Sequence, residues 1–460
     1  MGIFHDSHCQ CGGDGCAQGH VHENGNGTGT TGLSNDEVWA PDAVAGFLTD
    51  GFWEAIGTQG RAVDLGGDPV LGVSLHGLTA SGAGLARDAL EVWTDVTGLN
   101  FEERFGSAQI TFDDAQSGAY ASHSLWLGDL YSAYVNVGLD WLGAYGTARD
   151  GYSFQTYIHE IGHALGLGHA GAYNGRADFG EDNAYANDSW QVTVMSYFSQ
   201  NENPNVDASF AWVVTPMTAD ILAVRTLYDL APTLRLEDTT YGEGSTAGGI
   251  YDDLLSFDGP VAFTIVDDGG YDLISFQGSG DVARIDLRPG SFNDVMGLTG
   301  NMVIYSDTVI EAARGGRRDD ELLGNGAQNR LLGGAGDDVL DGRKGADQLR
   351  GGKGDDVLFG GNARDSLRGG LGDDWLDGGA GRDSLIGGAG ADVFVFSTTS
   401  QRDRILDFTP GEDLLSTDQD LEGLEILARR EDTVLKLGDH SVRLEDVDAD
   451  MLTADFLFLA

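Results

Sequence analysis

The chain of 460 residues is short of cysteine, of positive charge and of long apolar runs, and each shortage narrows its class. Its three cysteines, Cys9, Cys11 and Cys16, all fall in the first sixteen residues. A disulfide framework is therefore excluded for the body of the chain, which must be held by apolar packing or by bound metal, as suits an extracellular chain without disulfides. Lys and Arg number 26 against 74 Asp and Glu, a formal net charge of −48, and six arginines and no lysine precede Ala231. Such acidity argues against nucleic acid or anionic membrane as a partner and favours a soluble surface or one loaded with cations. No stretch approaches the roughly 18 apolar residues that span a bilayer. The opening MGIFHDSHCQCGGDG lacks the basic and apolar regions of a cleaved signal peptide. What is abundant is glycine, 71 residues of it, in a chain long enough for two or three domains.

The most informative stretch is His159-Glu160-Ile161-Gly162-His163-Ala164-Leu165-Gly166-Leu167-Gly168-His169. The pattern predicts a helix from about Tyr152 to Leu167, on which residues four apart share a face, so His159 and His163 stand side by side. Gly166 can take positive φ and end the helix, turning the chain so that His169 closes on the same point. Three neutral imidazoles leave the fourth corner of a tetrahedral zinc site for water, the catalytic rather than the structural arrangement. Glu160, beside the first ligand, is placed to take a proton from that water as it attacks a carbonyl. Downstream stands Val194-Met195-Ser196-Tyr197. This zinc motif with a later methionine turn resembles the metzincin endopeptidases, and Met-Ser-Tyr resembles their serralysin branch. The resemblance implies that Met195 is an apolar floor beneath the ligands. It also implies that Tyr197 is a displaceable further zinc ligand whose hydroxyl stabilises the oxyanion of the tetrahedral intermediate.

Residues 1 to 33 are Gly-rich, with His5, His8, Cys9, Cys11, Cys16, His20 and His22, and cannot bury a core. They read as a flexible or removable pro-segment, with a thiolate as a candidate occupant of the open zinc position and adventitious chelation or a disulfide as alternatives. Residues 34–231 read as an α+β catalytic domain. Helical spacing over Gly84–Trp93 is stopped by Gly98, and short strands are expected at Leu99–Glu102, Ala108–Phe112, Gly118–Ser122 and Tyr134–Val137. In the resembled family an edge strand above the zinc binds extended peptide, and Gly118, Ala119, Tyr120 and Ala121 are the candidate. Thr218–Tyr228 is a closing helix with Thr218 as its expected N-cap. From Pro232 the composition shifts, and residues 232–314 alternate apolar runs with Gly/Asp turns, as antiparallel strands would. Within them Asp268-Gly269-Gly270-Tyr271-Asp272 is either a calcium loop or a plain turn.

Nine nonapeptides run from Gly315 to Val395, each with an apolar eighth residue (Leu322, Leu331, Leu340, Leu349, Leu358, Leu367, Leu376, Leu385, Phe394) and Asp, or once Asn329, sixth. They match the Gly-Gly-x-Gly-x-Asp-x-apolar-x signature of repeats-in-toxin calcium rolls, an all-β parallel β-roll. The resemblance implies that two repeats make one turn, so that repeats two apart are neighbours. One side carries Asp338, Asp356, Asp374 and Asp392 with Gly333, Gly336, Gly351, Gly354, Gly369, Gly372, Gly387 and Gly390, all in pattern. The other carries Asn329, Asp347, Asp365 and Asp383 and is interrupted by Arg343, Lys344, Arg364 and Arg382. Carboxylates and turn carbonyls suit calcium, and nearby cations weaken it, so two classes of Ca2+ are expected. Residues 396–460 read as a C-terminal β region, and the ending Asp455-Phe456-Leu457-Phe458-Leu459-Ala460 resembles an uncleaved type I secretion signal.

The sequence thus reads as a secreted endopeptidase with one catalytic Zn2+ and several structural Ca2+, monomeric, acting on protein or peptide substrates and exported by a type I secretion apparatus. The alternatives are a calcium-folded surface or adhesive protein on a non-catalytic metzincin-like scaffold, and an intracellular zinc hydrolase.

Overall fold

The structure, a computed structural model, describes residues 5–11, 36–60, 62–63, 65, 70–126, 129–397, 401–417, 423–452 and 456–459. The chain forms two compact units, Met1–Leu234 with Gly248–Val266 and Leu298–Ser306, and Arg235–Ala247 with Asp267–Gly297 and Asp307–Ala460. Among the described residues no helix is long and apolar enough to cross a membrane.

In the first unit the strands are β1 (His5–Cys11), β2 (Val70–Gly77), β3 (Asn100–Glu103), β4 (Ile110–Asp113), β5 (Ala119–Trp126) and β6 (Asp129–Val137). They form one sheet in the order β1-β5-β6-β4-β2-β3. The helices are α1 (Pro41–Gly46), α2 (Phe52–Ala55), α3 (Ala80–Thr97), α4 (Leu139–Tyr145), α5 (Tyr152–Ala164) and α6 (Thr218–Leu227). α3 is capped by the Thr79 hydroxyl and stopped by Gly98 at φ +77°, as its sequence pattern predicts. It lies behind α5, and the Trp93 indole donates to the Ile158 carbonyl at 3.1 Å. α6 starts one residue earlier than expected. Its N-cap is Met217, whose N–H is accepted by Asp220, so Thr218 is its first helical residue. β7 (Trp212–Val213), β9 (Val261–Ile265) and β13 (Leu298–Ile304) complete the unit in parallel register.

The second unit is a roll of two parallel sheets. One contains β8 (Thr240–Gly242), β10 (Leu273–Ser275), β14 (Ala312–Arg314), β16 (Arg330–Ala335), β18 (Gln348–Lys353), β20 (Ser366–Leu371), β22 (Ser384–Ala389), β24 (Asp403–Ile405) and β28 (His440–Leu444). The other contains β11 (Arg284–Asp286), β15 (Glu321–Leu323), β17 (Val339–Asp341), β19 (Val357–Phe359), β21 (Trp375–Asp377), β23 (Val393–Val395), β25 (Leu414–Thr417) and β29 (Leu457–Leu459). Within the repeats, residues eighteen apart are partners (Leu331, Leu349, Leu367 and Leu385 in one ladder), and the apolar eighth positions are buried.

The antiparallel expectation for residues 232–314 is corrected. β8, β10 and β14 are parallel and continue the register of the repeats, whereas β12 (Phe292–Val295), which lies between β11 and β13, is antiparallel to β11. The roll therefore begins before its repeats do. At the other end β29 pairs parallel with β25, so Leu457–Leu459 is a sheet strand; Asp455 and Ala460 lie outside the described residues. The hairpin β26 (Glu425–Arg429) and β27 (Asp432–Leu437) is joined to the first sheet through β28.

Candidate metal centre

α5 is buried along nearly its whole length, and its end is built for a sharp reversal. The helix stops at Ala164, three residues short of the expected Leu167. Gly166 takes φ +107°, the Gly166 N–H returns to the His163 carbonyl at 2.8 Å, and the Leu167 N–H reaches back to the Gly162 carbonyl at 3.0 Å. This paired closure of the last turn swings the chain under the helix, bringing His169 to the two helical histidines.

The candidate ligand atoms of His159, His163 and His169 all lie within 4.8 Å of one another, and Nε2 of His163 is 3.0 Å from Nε2 of His169. Each ring is aimed by its other nitrogen. Nδ1 faces the carbonyl of Val194 at 2.8 Å from His159, of Leu167 at 2.8 Å from His163, and of Tyr173 at 2.9 Å from His169. Donation from Nδ1 leaves every Nε2 lone pair for a metal. The His159 Nε2 is buried with no hydrogen-bond partner, as a metal ligand would be before its ion binds. Burial brings the His159 pKa down to about 4. It also holds His163 and His169 well below the usual imidazole range, helped by repulsion from neighbouring imidazoles, so all three are neutral at physiological pH. Glu160 is completely buried on the same helix.

Met195 lies against α5 at Gly162. It is wholly buried, and a Cβ on Gly162 would sit 2.6 Å from its Sδ, so the helix can rest on the thioether only because position 162 has no side chain. Tyr197 stacks edge-on against His169, ring centroids 4.5 Å apart, and its hydroxyl accepts the Gly175 N–H at 3.3 Å. Two buried carboxylates that the sequence did not single out fasten the surrounding loops. Asp220 accepts from the Thr193 hydroxyl at 2.5 Å and the Val194 N–H at 2.8 Å, fixing the peptide that aims His159. Asp188 accepts from the Ser196 and Tyr173 hydroxyls, fixing the loop that aims His169. Burial pushes both acids up to about 7. Sequence signalled only that Asp220 lay in the first turn of a helix, and nothing signalled Asp188.

β5 runs beside α5, and the two are joined by the His123 Nε2 and the His163 carbonyl, 2.7 Å apart. Ala119, Tyr120 and Ala121 of the candidate substrate strand lie on β5, with Gly118 just before it at φ +80°. Without β1 this strand would be the sheet edge. β1 pairs with it antiparallel, Cys9 opposite Ala121, Gln10 opposite Tyr120 and Cys11 opposite Ala119. The rest of the expected pro-segment, Cys16 included, lies outside the described residues.

In the roll, Oδ1 of every repeat aspartate from Asp338 to Asp392 accepts the N–H of the residue eighteen positions earlier, as from Asp338 to Asp356 at 2.9 Å and from Asp347 to Asp365 at 2.8 Å. The Oδ2 atoms of Asp338, Asp347, Asp356, Asp365, Asp374 and Asp383 are buried with no hydrogen-bond partner. Burial pushes the pKa values of these acids, and of Asp392, up to about 6 or 7. The turns are tight: Gly354, at φ +114°, leaves only 2.2 Å between an added Cβ and the Gly336 carbonyl oxygen. Asp272 repeats the arrangement ahead of the repeats, its Oδ1 accepting the Thr239 N–H and its Oδ2 unpartnered. The two rows of aspartates are alike at these oxygens. They differ at Arg343, whose guanidinium donates to the Gly324 carbonyl at 2.9 Å and to Asp286 at 2.8 Å.

Comparison with known proteins agrees with both halves. Residues 231–429 match the family described as Peptidase M10 serralysin C terminal, and residues 108–219 match the one described as Metallo-peptidase family M12B Reprolysin-like. A serralysin of Photorhabdus luminescens is 36% identical over 265 residues, 54% of this chain and 53% of the relative. The metallopeptidase AprA of Pseudomonas marginalis is 33% identical over 258 residues, 52% of this chain and 53% of the relative. Serralysin C of Dickeya chrysanthemi is 34% identical over 328 residues, 66% of this chain and 67% of the relative. The chain spans about half the length of the first two of these relatives and two thirds of the third. With the histidine triad, the methionine turn and the parallel roll in one sequence, the chain belongs to the serralysin family of metzincin-type metallopeptidases.

Proposed function

We propose that the chain is a secreted, calcium-dependent zinc endopeptidase that cuts peptide bonds of extracellular proteins. The observation that carries this reading is the convergence of three neutral, Nδ1-anchored imidazoles, with Glu160 next to His159 in the chain and fully buried on the same helix. A zinc ion on the three Nε2 atoms would supply the Lewis acidity that polarises a peptide carbonyl and acidifies the attacking water. Glu160 takes the proton of that water and hands it to the leaving amine. The Tyr197 hydroxyl donates to the oxyanion as the carbonyl becomes tetrahedral. The main chain of Gly118–Ala121 holds extended substrate by strand addition, which accepts many sequences. Metal analysis with a casein-digestion assay tests the whole: one zinc per chain and chelator-sensitive digestion are expected, and a zinc-loaded chain that digests nothing would overturn the reading.

The same strand is occupied by β1, so the leader competes with substrate for one set of backbone groups. Removing residues 1–33 is expected to raise casein digestion at least about tenfold, the gain of a site whose competent form is a minor fraction of the population. A Cys9/Cys11/Cys16 triple serine variant separates main-chain pairing from thiol capture, since latency equal to that of the parent rules the thiols out. No gain on truncation would show that β1 does not block the site.

The orphaned aspartate oxygens fit calcium, a hard cation that takes carboxylate and carbonyl oxygen. The Arg343 guanidinium already holds a turn carbonyl at the start of one row, and Asn329 replaces an acid there. Calorimetric titration is therefore expected to resolve a tight class along Asp338, Asp356, Asp374 and Asp392 and a weaker class along Asp347, Asp365 and Asp383. A single class would count against this assignment.

A further inference from the structure

Apart from the buried Leu323, the ninth position of the repeats points outward, and it differs sharply between the two sheets of the roll. On β15, β17, β19, β21 and β23 it is Leu323, Asp341, Phe359, Asp377 and Val395; on β16, β18, β20 and β22 it is Leu332, Arg350, Arg368 and Ile386, and Arg314 on β14, just ahead of the repeats, is in register with Leu332. In a chain of net charge −48, one face thus carries a ladder of arginines and no acid in that row. Arg350 and Arg368 are cross-strand partners, about 4.8 Å apart at the backbone. Like charges directly opposite one another on neighbouring strands destabilise a sheet. No carboxylate of the described residues forms an ion pair with Arg314, Arg350, Arg368 or Lys353.

These residues line a groove of about 470 Å³ that crosses the strands. Arg314, Arg350 and Arg368 form one wall and Lys353 and Leu371 the other, with Gly334, Gly352 and Gly370 as a floor without side chains. The walls are three residues apart along a strand, about 10 Å, the width of one narrow polymer chain. Just beyond Lys353 runs a row of exposed acids, Asp337, Asp355 and Asp373, each accepting a main-chain N–H from the turn eighteen residues on.

We propose that this groove binds a linear acidic polysaccharide. Arg350 and Arg368 take its carboxylates, for which the planar guanidinium fork is suited. The apolar side chains of Leu332 and Leu371 meet sugar-ring faces, and Asp337, Asp355 and Asp373 accept its hydroxyl protons. The groove is lined by no aromatic residue, so it lacks the stacking platform that single-stranded nucleic acid uses. A DNA backbone also has no hydroxyl to offer the acidic edge, and a broad anionic bilayer would meet those acids along with the cations. This site does not depend on the zinc reaction, and at working pH the acids inside the roll are expected to be neutralised by bound calcium.

The test is a calorimetric titration of the full chain, in calcium, with oligogalacturonates too short to gel. Saturable binding is expected, weakened at least tenfold by the Arg350→Gln/Arg368→Gln pair and only a few-fold by Arg350→Lys/Arg368→Lys, which keeps charge and loses the fork. Casein digestion and the calcium-dependent melting temperature are expected to match the parent in both variants. No binding by the parent, or equal affinity for a neutral dextran oligosaccharide, would overturn the proposal. So would single-stranded DNA or anionic vesicles binding as tightly through the same arginines. If the Gln pair does not fold, single Arg368→Gln must still weaken binding measurably for the proposal to stand.

Discussion

Glu160→Gln is expected to keep its full complement of zinc and to digest casein at least about a hundredfold more slowly than the parent, the range over which a positioned general base accelerates proton transfer. Two features of the site set this expectation. The proposed zinc ligands are three neutral nitrogens aimed by backbone carbonyls, so removing the charge of Glu160 leaves their geometry intact. The carboxyl is wholly buried, so bulk water cannot easily replace it as proton acceptor. Gln preserves shape and hydrogen-bonding reach but cannot take a proton. Zinc loss along with activity would mean that the acid serves the fold of the site rather than the reaction. Full activity with zinc bound would return the chain to the reading of a calcium-folded surface protein on an idle scaffold.

How much of this was legible in the sequence depended on how local each cause was. His159 and His163 are fixed by helical spacing alone, and Gly166 announces the turn that delivers His169, so the triad could be read without coordinates. The buried ladder of Leu331, Leu349, Leu367 and Leu385 was equally legible, because a nine-residue period leaves little freedom in register. Residues 232–314 were misread because β8, β10 and β14 are three-residue strands without that period, and their Gly/Asp turns look the same in parallel and antiparallel pairs. The pairing of β1 was invisible for a different reason. His-Asp-Ser-His-Cys-Gln-Cys has none of the β-branched or aromatic residues that mark a strand, and what recruits it is the open edge of β5. Asp188 and Asp220 act on loops distant in sequence, so only the fold discloses that they steady the peptides aiming His169 and His159.

Calcium removal is expected to lower the melting temperature of the roll far more at pH 8 than at pH 5, by at least about 20 °C against less than about half of that. Many carboxylates must act together to produce so large a shift, since a free-energy change of 1 kcal/mol moves a domain of this size by only a few degrees. Seven aspartates, held back from ionising chiefly by their burial, carry folded-state pKa values of about 6 or 7, against about 3.9 in an unfolded chain. A raised carboxylate pKa means that the folded state holds protons more tightly than the unfolded one. Without calcium each group therefore leaves stability untouched below about pH 4, subtracts from it progressively between about 4 and 7, and subtracts its full amount above. At pH 5 protons partly replace calcium, neutralising carboxylates that otherwise lie unpaired inside the turns. At pH 8 only calcium can. Dialysis against metal-free buffer at each pH, followed by thermal melts read by far-ultraviolet circular dichroism with and without added calcium, measures the difference. A calcium-induced shift of equal size at the two pH values, or a larger one at pH 5, would show that the buried aspartates are not what calcium neutralises.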